Sequence, residues 1–445
     1  MSTLETSAVA EKKSSNLIAI VTMFALYAMC GFMTYLAAPA GKIWGGNSVI
    51  ANSTTLGMMG NMMNFLAYLI MGYPMGMVLQ KFGYKTTALL ATGSGALGIL
   101  VQLLSGQVDP GTIGGIPAAW YIYLFGAFIS GTSNCLLNGV INPMLNSIVG
   151  GGNRGNQLNL AGGACNSMFQ GAAMVVVPAV VGEVTKDTKF SEVTGVLLAA
   201  AAIFIAATVI IAFLPIKNPV QRAKNIVYER SALAFRHCLL GVIGIFLYMG
   251  VEAGIPAATS STQVKDLMGG GDSAAVIAGV LGGAVFVFML CGRMLGAAFG
   301  AKVSARTMLL WASGISLALL AVGVALIACD VTVPYEVAGK GGAAATTVKV
   351  PVGAFCFVLM GLCTSVMWSV IFNLSTEGVG KYTEQASGLF MTMVVGGGVI
   401  PLVQSYLMDK ASFTVSFVVP AFCLAYLFVY ALAFSKNVNP EIKID

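Results

Sequence analysis

The chain is 445 residues long, 57% hydrophobic and only 9% charged, where soluble domains carry about 25% charged residues. Its mean hydropathy of +0.87 is that of a polytopic membrane protein and excludes an independent soluble domain. A formal net charge of +6 reflects a bias among loops rather than a nucleic-acid surface.

Taken in chain order, apolar segments of spanning length begin near residues 17, 54, 86, 117, 158, 193, 237, 273, 306, 351, 385 and 412. Each approaches the ~20 residues that a helix needs to cross a bilayer, which predicts an all-α membrane protein of twelve transmembrane helices. The first segment, Leu17 to Pro39, is longer than the about 7–15 apolar residues of a secretory signal and reads as a retained helix. The predicted division is a tail over 1–16, a six-helix bundle over 17–215, a basic linker over 216–236, a second six-helix bundle over 237–435 and a tail over 436–445. Placing the N-terminus inside puts fifteen Lys and Arg in inner segments and seven in outer loops, with Arg293 inside a span. By the positive-inside bias both termini are then cytoplasmic.

The nine cysteines fall in or beside predicted spans, with neither a disulfide framework nor metal-ligand spacing. His237 begins the seventh span and reads as an interfacial structural residue. GSGALG at 93–98 spells a dinucleotide fingerprint but lies in a membrane helix with no preceding strand, so it is discarded. No paired carboxylates, Cys–His pair or metal-ligand set occupies any loop, so neither enzyme chemistry nor a cofactor is expected.

An internal repeat organises the chain. Gly72 and Gly76 at the end of the second span align with Gly292 and Gly296 at the end of the eighth, and Lys85-Thr86 with Arg306-Thr307 after one extra residue. Pro178 in the fifth span echoes Pro401 in the eleventh. Parallel six-helix repeats around a central cavity are the plan of the major facilitator superfamily. The 54 glycines, many spaced Gly-x-x-x-Gly, let helix backbones approach where lipid supplies no hydrophobic push.

Polar residues inside the spans carry the functional signal. Glu252 lies roughly 15 residues into LLGVIGIFLYMGVEAGIPAA, near or past the bilayer centre, where an ionisable group costs ~2.5–3.5 kcal/mol on insertion scales. Low-dielectric surroundings disfavour a charged carboxylate, which suits a site that loads and releases a proton. A structural pairing within the bundle is the competing reading. Asn134, Asn138 and Asn142 recur every four residues on the fourth span, and Asn159, Asn166 and Gln170 share a face of the fifth. Asn64 and Gln404 add amides on the second and eleventh, and Thr364, Ser365, Trp368 and Asn373 lie on the tenth.

Unpaired amides in apolar surroundings cost ~2–7 kcal/mol by transfer scales, so these should face one another, water or a ligand. Interhelical hydrogen bonding is the competing role. Asn and Gln both donate and accept, which fits a ring of hydroxyls, and Trp368 is placed to stack on a sugar or simply to pack. The expected substrate-binding set is Asn64, Asn134, Asn138, Asn142, Asn166, Gln170, Tyr248, Trp368 and Asn373. Arg293 and Glu377, both toward the cytoplasmic ends of their spans, are expected to pair as an inner gate, or else to snorkel as anchors.

YMGVEAGIP (Tyr248–Pro256), LCGRMLGAAF (Leu290–Phe299) and the long run Phe372–Asp409, with INPMLNSI (Ile141–Ile148), NLAGGACNSMFQG (Asn159–Gly171) and KFGYKTT (Lys81–Thr87), carry a family likeness. Through them the chain resembles the fucose:proton symporter family of the major facilitator superfamily. The resemblance implies the twelve-helix fold, alternating access and uptake of a neutral monosaccharide, usually with a proton, across a bacterial cytoplasmic membrane. It also exposes departures: the family's first-helix acid falls on Ala38, its fourth-helix acid on Asn138 and its fifth-helix glutamine on or near Gly162. With both acids replaced, proton coupling rests on Glu252. The alternatives are a sodium-coupled or uncoupled facilitator of a neutral polar solute and a transporter-like sugar sensor, in each case with a monomer expected.

Overall fold

Lipid offers no hydrogen bonds to a backbone, so chains this apolar satisfy their peptide groups within helices. The computed structural model describes residues 2–36, 47–51, 53–108, 111–148, 158, 161–173, 190–214, 230–299, 303–337 and 346–436. Its long helices are α1 (Ser2–Leu36), α2 (59–82), α3 (84–105), α4 (Ala118–Ile148), α5 (161–173), α6 (Phe190–Phe213), α7 (Arg236–Thr259), α8 (Gly271–Phe299), α9 (Ala305–Ala328), α10 (Val352–Thr376), α11 (Gly380–Lys410) and α12 (Phe413–Phe434). Eleven of these are long and apolar enough to cross a membrane. The other is α5, described over 161–173 only; Ala38, Asn159 and Pro178 lie outside the described residues, as does most of the expected linker.

Local sequence explains the breaks. Ser53, Ser261, Ser304 and Ser412 each cap a helix N-terminus by accepting from a backbone N–H three residues on. α2 and α3 form one run interrupted only at Gly83, whose φ of 76° and ψ of 175° suit a residue without Cβ. Arg306 donates from Nε to the Ala431 carbonyl at 2.8 Å, covering the open carbonyl end of α12 as a cation at a helix C-terminus does. α1 begins at Ser2, so the expected tail over 1–16 is continuous with the first helix. Two small hairpins add to the all-α plan, Thr112–Ile113 with Ile116–Pro117 and Thr332–Val337 with Thr346–Pro351. The second is a β-branched pair of segments that pairs antiparallel, Thr332 opposite Pro351.

Two large apolar clusters form the interior. One gathers Met23, Tyr27, Tyr68, Tyr123 and Phe204 from α1–α6, and the other Tyr248, Phe286, Phe357 and Leu427 from α7–α12. Glycines set the close approaches. A Cβ on Gly31 would meet the Asn166 backbone, one on Gly131 the Asn64 backbone and one on Gly396 the Phe246 backbone, as small-residue packing requires. The repeated glycines differ in use: Gly292 and Gly296 seat α8 on Leu362 and Val366 and Gly72 meets Thr392, while Gly76 meets nothing within 4 Å. One face carries the Thr332–Pro351 hairpin, the short helix Thr262–Leu267 packed on it, and the end of α11.

Candidate functional site

A cavity of about 150 Å³ lies between the two clusters, about tenfold more than a single water needs. Its walls come from equivalent helices of the two halves. α1 gives Tyr27, Cys30 and Thr34, and α7 gives Met249, Glu252 and Ala253. α2 gives Phe65 and Tyr68, opposite Arg293 of α8; α4 gives Asn138 and Asn142, opposite Ser365, Trp368 and Ser369 of α10. α5 gives Gly163, Asn166 and Gln170, and α11 gives Met391 and Val394.

The amides are oriented by their neighbours. Asn138 donates from Nδ2 to Tyr68 Oη at 2.8 Å and to the Asn134 carbonyl at 3.1 Å. Asn142 donates to the Asn138 carbonyl at 3.2 Å, and its Oδ1 accepts from Tyr27 Oη. Asn166 donates to the Tyr27 carbonyl at 3.2 Å, tying α5 to α1. Gln170 Oε1 is buried with no hydrogen-bond partner among the described residues. One ion pair completes the site: Arg293 Nη2 lies 3.4 Å from Glu252 Oε1, with side chains 12% and 11% exposed. Arg293 Nη1 also donates to the Gly163 carbonyl on α5, so this guanidinium links the acid of one half to the backbone of the other. The pair is neutral as a unit, and the remaining polar wall is amide and hydroxyl. Such a wall recognises hydroxyl groups and gives no net charge to hold an ion.

The structure brings together Asn138, Asn142, Asn166, Gln170, Trp368, Glu252 and Arg293 of the expected residues. The others do not line the cavity. Asn64 is buried beside the Gly131 backbone with neither amide atom bonded among the described residues. Asn134 is buried and donates to Thr34 Oγ1 at 3.2 Å. Tyr248 is buried in the apolar cluster of the second half with its hydroxyl beside the Glu252 carboxylate, and Asn373 is exposed on α10. In this structure Arg293 meets Glu252 rather than Glu377, which is exposed where α10 ends. Its backbone carbonyl accepts from His237 Nε2 at 2.9 Å. The reason is geometric, since helical side chains lean toward the N-terminus and a long arginine on α8 reaches back along its helix to Glu252. Trp368 stacks on Phe372 at 5.8 Å with an interplanar angle of 11° and meets Phe390 edge-on at 5.5 Å.

Sequence reasoning missed Tyr27, Tyr68 and Thr34. Their only signal was a hydroxyl on a helix whose repeat equivalent carries Glu252 or Arg293.

No family model matches the chain. A glucose/galactose transporter of Brucella abortus is 28% identical over 435 residues, 94% of each chain. A putative glucose/galactose transporter of Helicobacter pylori is 24% identical over 443 residues, 95% of this chain and 98% of that one. Among solved structures, FucP, a major facilitator superfamily transporter in the outward conformation, superposes with a TM-score of 0.67 at 17% identity, covering 94% of this chain and 99% of that one. The chain has the fold of the major facilitator superfamily. A second crystal structure, a variant of the E. coli fucose:proton symporter FucP, matches with a TM-score of 0.66. The expected resemblance is therefore found again in whole-length relatives and in the fold, and those relatives are transporters rather than enzymes.

Proposed function

We propose that the protein is a secondary transporter that moves a neutral monosaccharide across a bacterial cytoplasmic membrane by alternating access, with Glu252 as the proton-binding residue. The observation that carries this reading is the cavity itself: amides and hydroxyls from both halves surround a space with one internally neutral ion pair. Asn138, Asn142, Asn166 and Gln170 are the polar wall for sugar hydroxyls, and Trp368 is the apolar plate beside them. The names of the relatives support glucose, galactose and fucose as the first candidates to test. In this reading the protein acts as a monomer with its termini in the cytoplasm.

Arg293 decides how coupling works. While Glu252 is ionised, the guanidinium is divided between that carboxylate and the Gly163 carbonyl. Protonation of Glu252 removes the ionic half of that arrangement and leaves the link to α5, so a proton alters the contact between the two halves. The test is uptake of radiolabelled glucose, galactose and fucose into proteoliposomes with a pH gradient imposed and then collapsed. Accumulation that vanishes with the gradient, and that Glu252→Gln abolishes while leaving sugar exchange, is the expected result. Full gradient-driven accumulation by Glu252→Gln overturns the coupling assignment.

A second reading is supported by the ion pair itself. A carboxylate paired with a guanidinium at 3.4 Å can serve as a structural tie between helices, which suits a facilitator without proton coupling. Gradient-independent equilibration of the sugar establishes that reading.

A further inference from the structure

The two halves also meet at the hairpin face, away from the cavity. There Asp409, in the last turn of α11, reaches across to the short helix Thr54–Gly57 that leads into α2. Its Oδ1 accepts from Thr54 N at 3.0 Å. Its Oδ2 accepts from Ser53 Oγ at 3.1 Å, Thr55 N at 3.0 Å and Thr55 Oγ1 at 2.7 Å. Thr54 Oγ1 in turn accepts from Gln263 Nε2 of the second half at 2.6 Å. Hydrogen bonds to an ionised acceptor are the strong ones, and here four converge on one carboxylate from residues more than 350 positions away.

Beneath this cluster the two helices stay in contact. Asn61 Nδ2 donates to the Gly397 carbonyl at 2.9 Å. A Cβ on Gly398 would come within 2.9 Å of Phe65, so a larger residue there would wedge the helices apart. Between cluster and glycines lies a small cavity of about 20 Å³, the size of a water or two. Gln404 lines it, 2% exposed, with Nε2 unbonded among the described residues. A donor left unsatisfied in a seam is costly if the seam never opens, and it is readily hydrated if the seam does.

We propose that Asp409, seated on Ser53, Thr54 and Thr55, is the latch that closes the central cavity on the hairpin face, and that it must release for solute to pass on that side. The latch rests on the transporter reading only for its role in a cycle. With the termini cytoplasmic, it is the outer gate. The seam below it, from Gln404 to Gly397, is the part that hydrates on opening.

The experiment reads the gate without any sugar. In a full-length protein with exposed Cys291 and Cys329 replaced by Ser, Gln404→Cys reports opening through its rate of reaction with a membrane-impermeant maleimide added from the hairpin side. Asp409→Asn should raise that rate about tenfold, the population change that loss of one hydrogen bond to a charged group produces. Thr55→Val, which removes one donor and leaves the carboxylate, should raise it less, and it serves if Asp409→Asn fails to fold. A Thr55→Cys/Asp409→Cys disulfide should suppress labelling at position 404, read by mass spectrometry of its own peptide, until the bond is reduced and the reductant removed. An unchanged rate in the folded Asp409→Asn or Thr55→Val protein, or equal labelling of the oxidised and reduced pair, overturns the latch. A latch that behaves as expected in a protein that carries none of the tested sugars removes the substrate reading alone.

Discussion

Replacing Glu252 by Gln and Arg293 by Met, singly and together, tests whether these two groups act as a unit. At 3.4 Å two unit charges attract by about 5 kcal/mol at an effective dielectric of 20, and desolvation offsets much of that. Glu252→Gln keeps the shape and leaves Arg293 with the Gly163 carbonyl, so it should cost about 1.5–3 kcal/mol, the value of one hydrogen bond between charged groups. Arg293→Met strips the buried carboxylate of its cation and should cost about 3–5 kcal/mol. The double variant no longer buries an unpaired charge, so its cost should fall short of the sum of the singles by about 2 kcal/mol. Unfolding in mixed detergent micelles, followed for all four proteins under one condition, supplies the cycle. Additivity within about 0.5 kcal/mol refutes the pairing, and with it the idea that a proton on Glu252 is felt by α5.

Tyr27→Phe deletes the hydroxyl that donates to Asn142 and should raise the KM for sugar uptake by about tenfold or less, as loss of one net hydrogen bond does; an unchanged KM removes Tyr27 from the binding wall. Gly396→Ala drives a methyl group into the Phe246 carbonyl and should cost about 1–3 kcal/mol by overpacking, read as a lowered Tm in detergent. Asn373→Ala, at an exposed position on α10, should leave stability within about 0.5 kcal/mol and uptake unchanged. A transport defect there would mean that the cavity is not the whole of the site.

The sequence was most legible where physics acts on many residues at once. Apolar length announced the spans, and the four-residue spacing of Asn134, Asn138 and Asn142 announced a polar face, because both patterns follow from helix geometry. Which member of a face meets the cavity was not legible. Asn134 turns to Thr34 while Asn138 reaches Tyr68, a choice set by what packs against α4 rather than by α4 itself. Glu252 stood out because a lone acid in an apolar run is costly. Its partner did not, since chain position assigned Arg293 to the inner end and took no account of how far an arginine reaches back. Asp409 was hidden for the opposite reason: an acid at the end of a span looks ordinary until four donors from the other half are seen around it.

Gly83 gives α2 and α3 almost no slack. A single residue at φ 76° and ψ 175° joins them, in a region of backbone space that is essentially glycine-only. α2 is also the helix that Asp409 grips through its leading turn. A tilt of α2 away from α11 therefore cannot be absorbed in a connecting loop and must carry α3 with it. The helix nearest the seam behaves as the short arm of a lever, and the arm it drives lies outside the cavity wall, against α4 and α6.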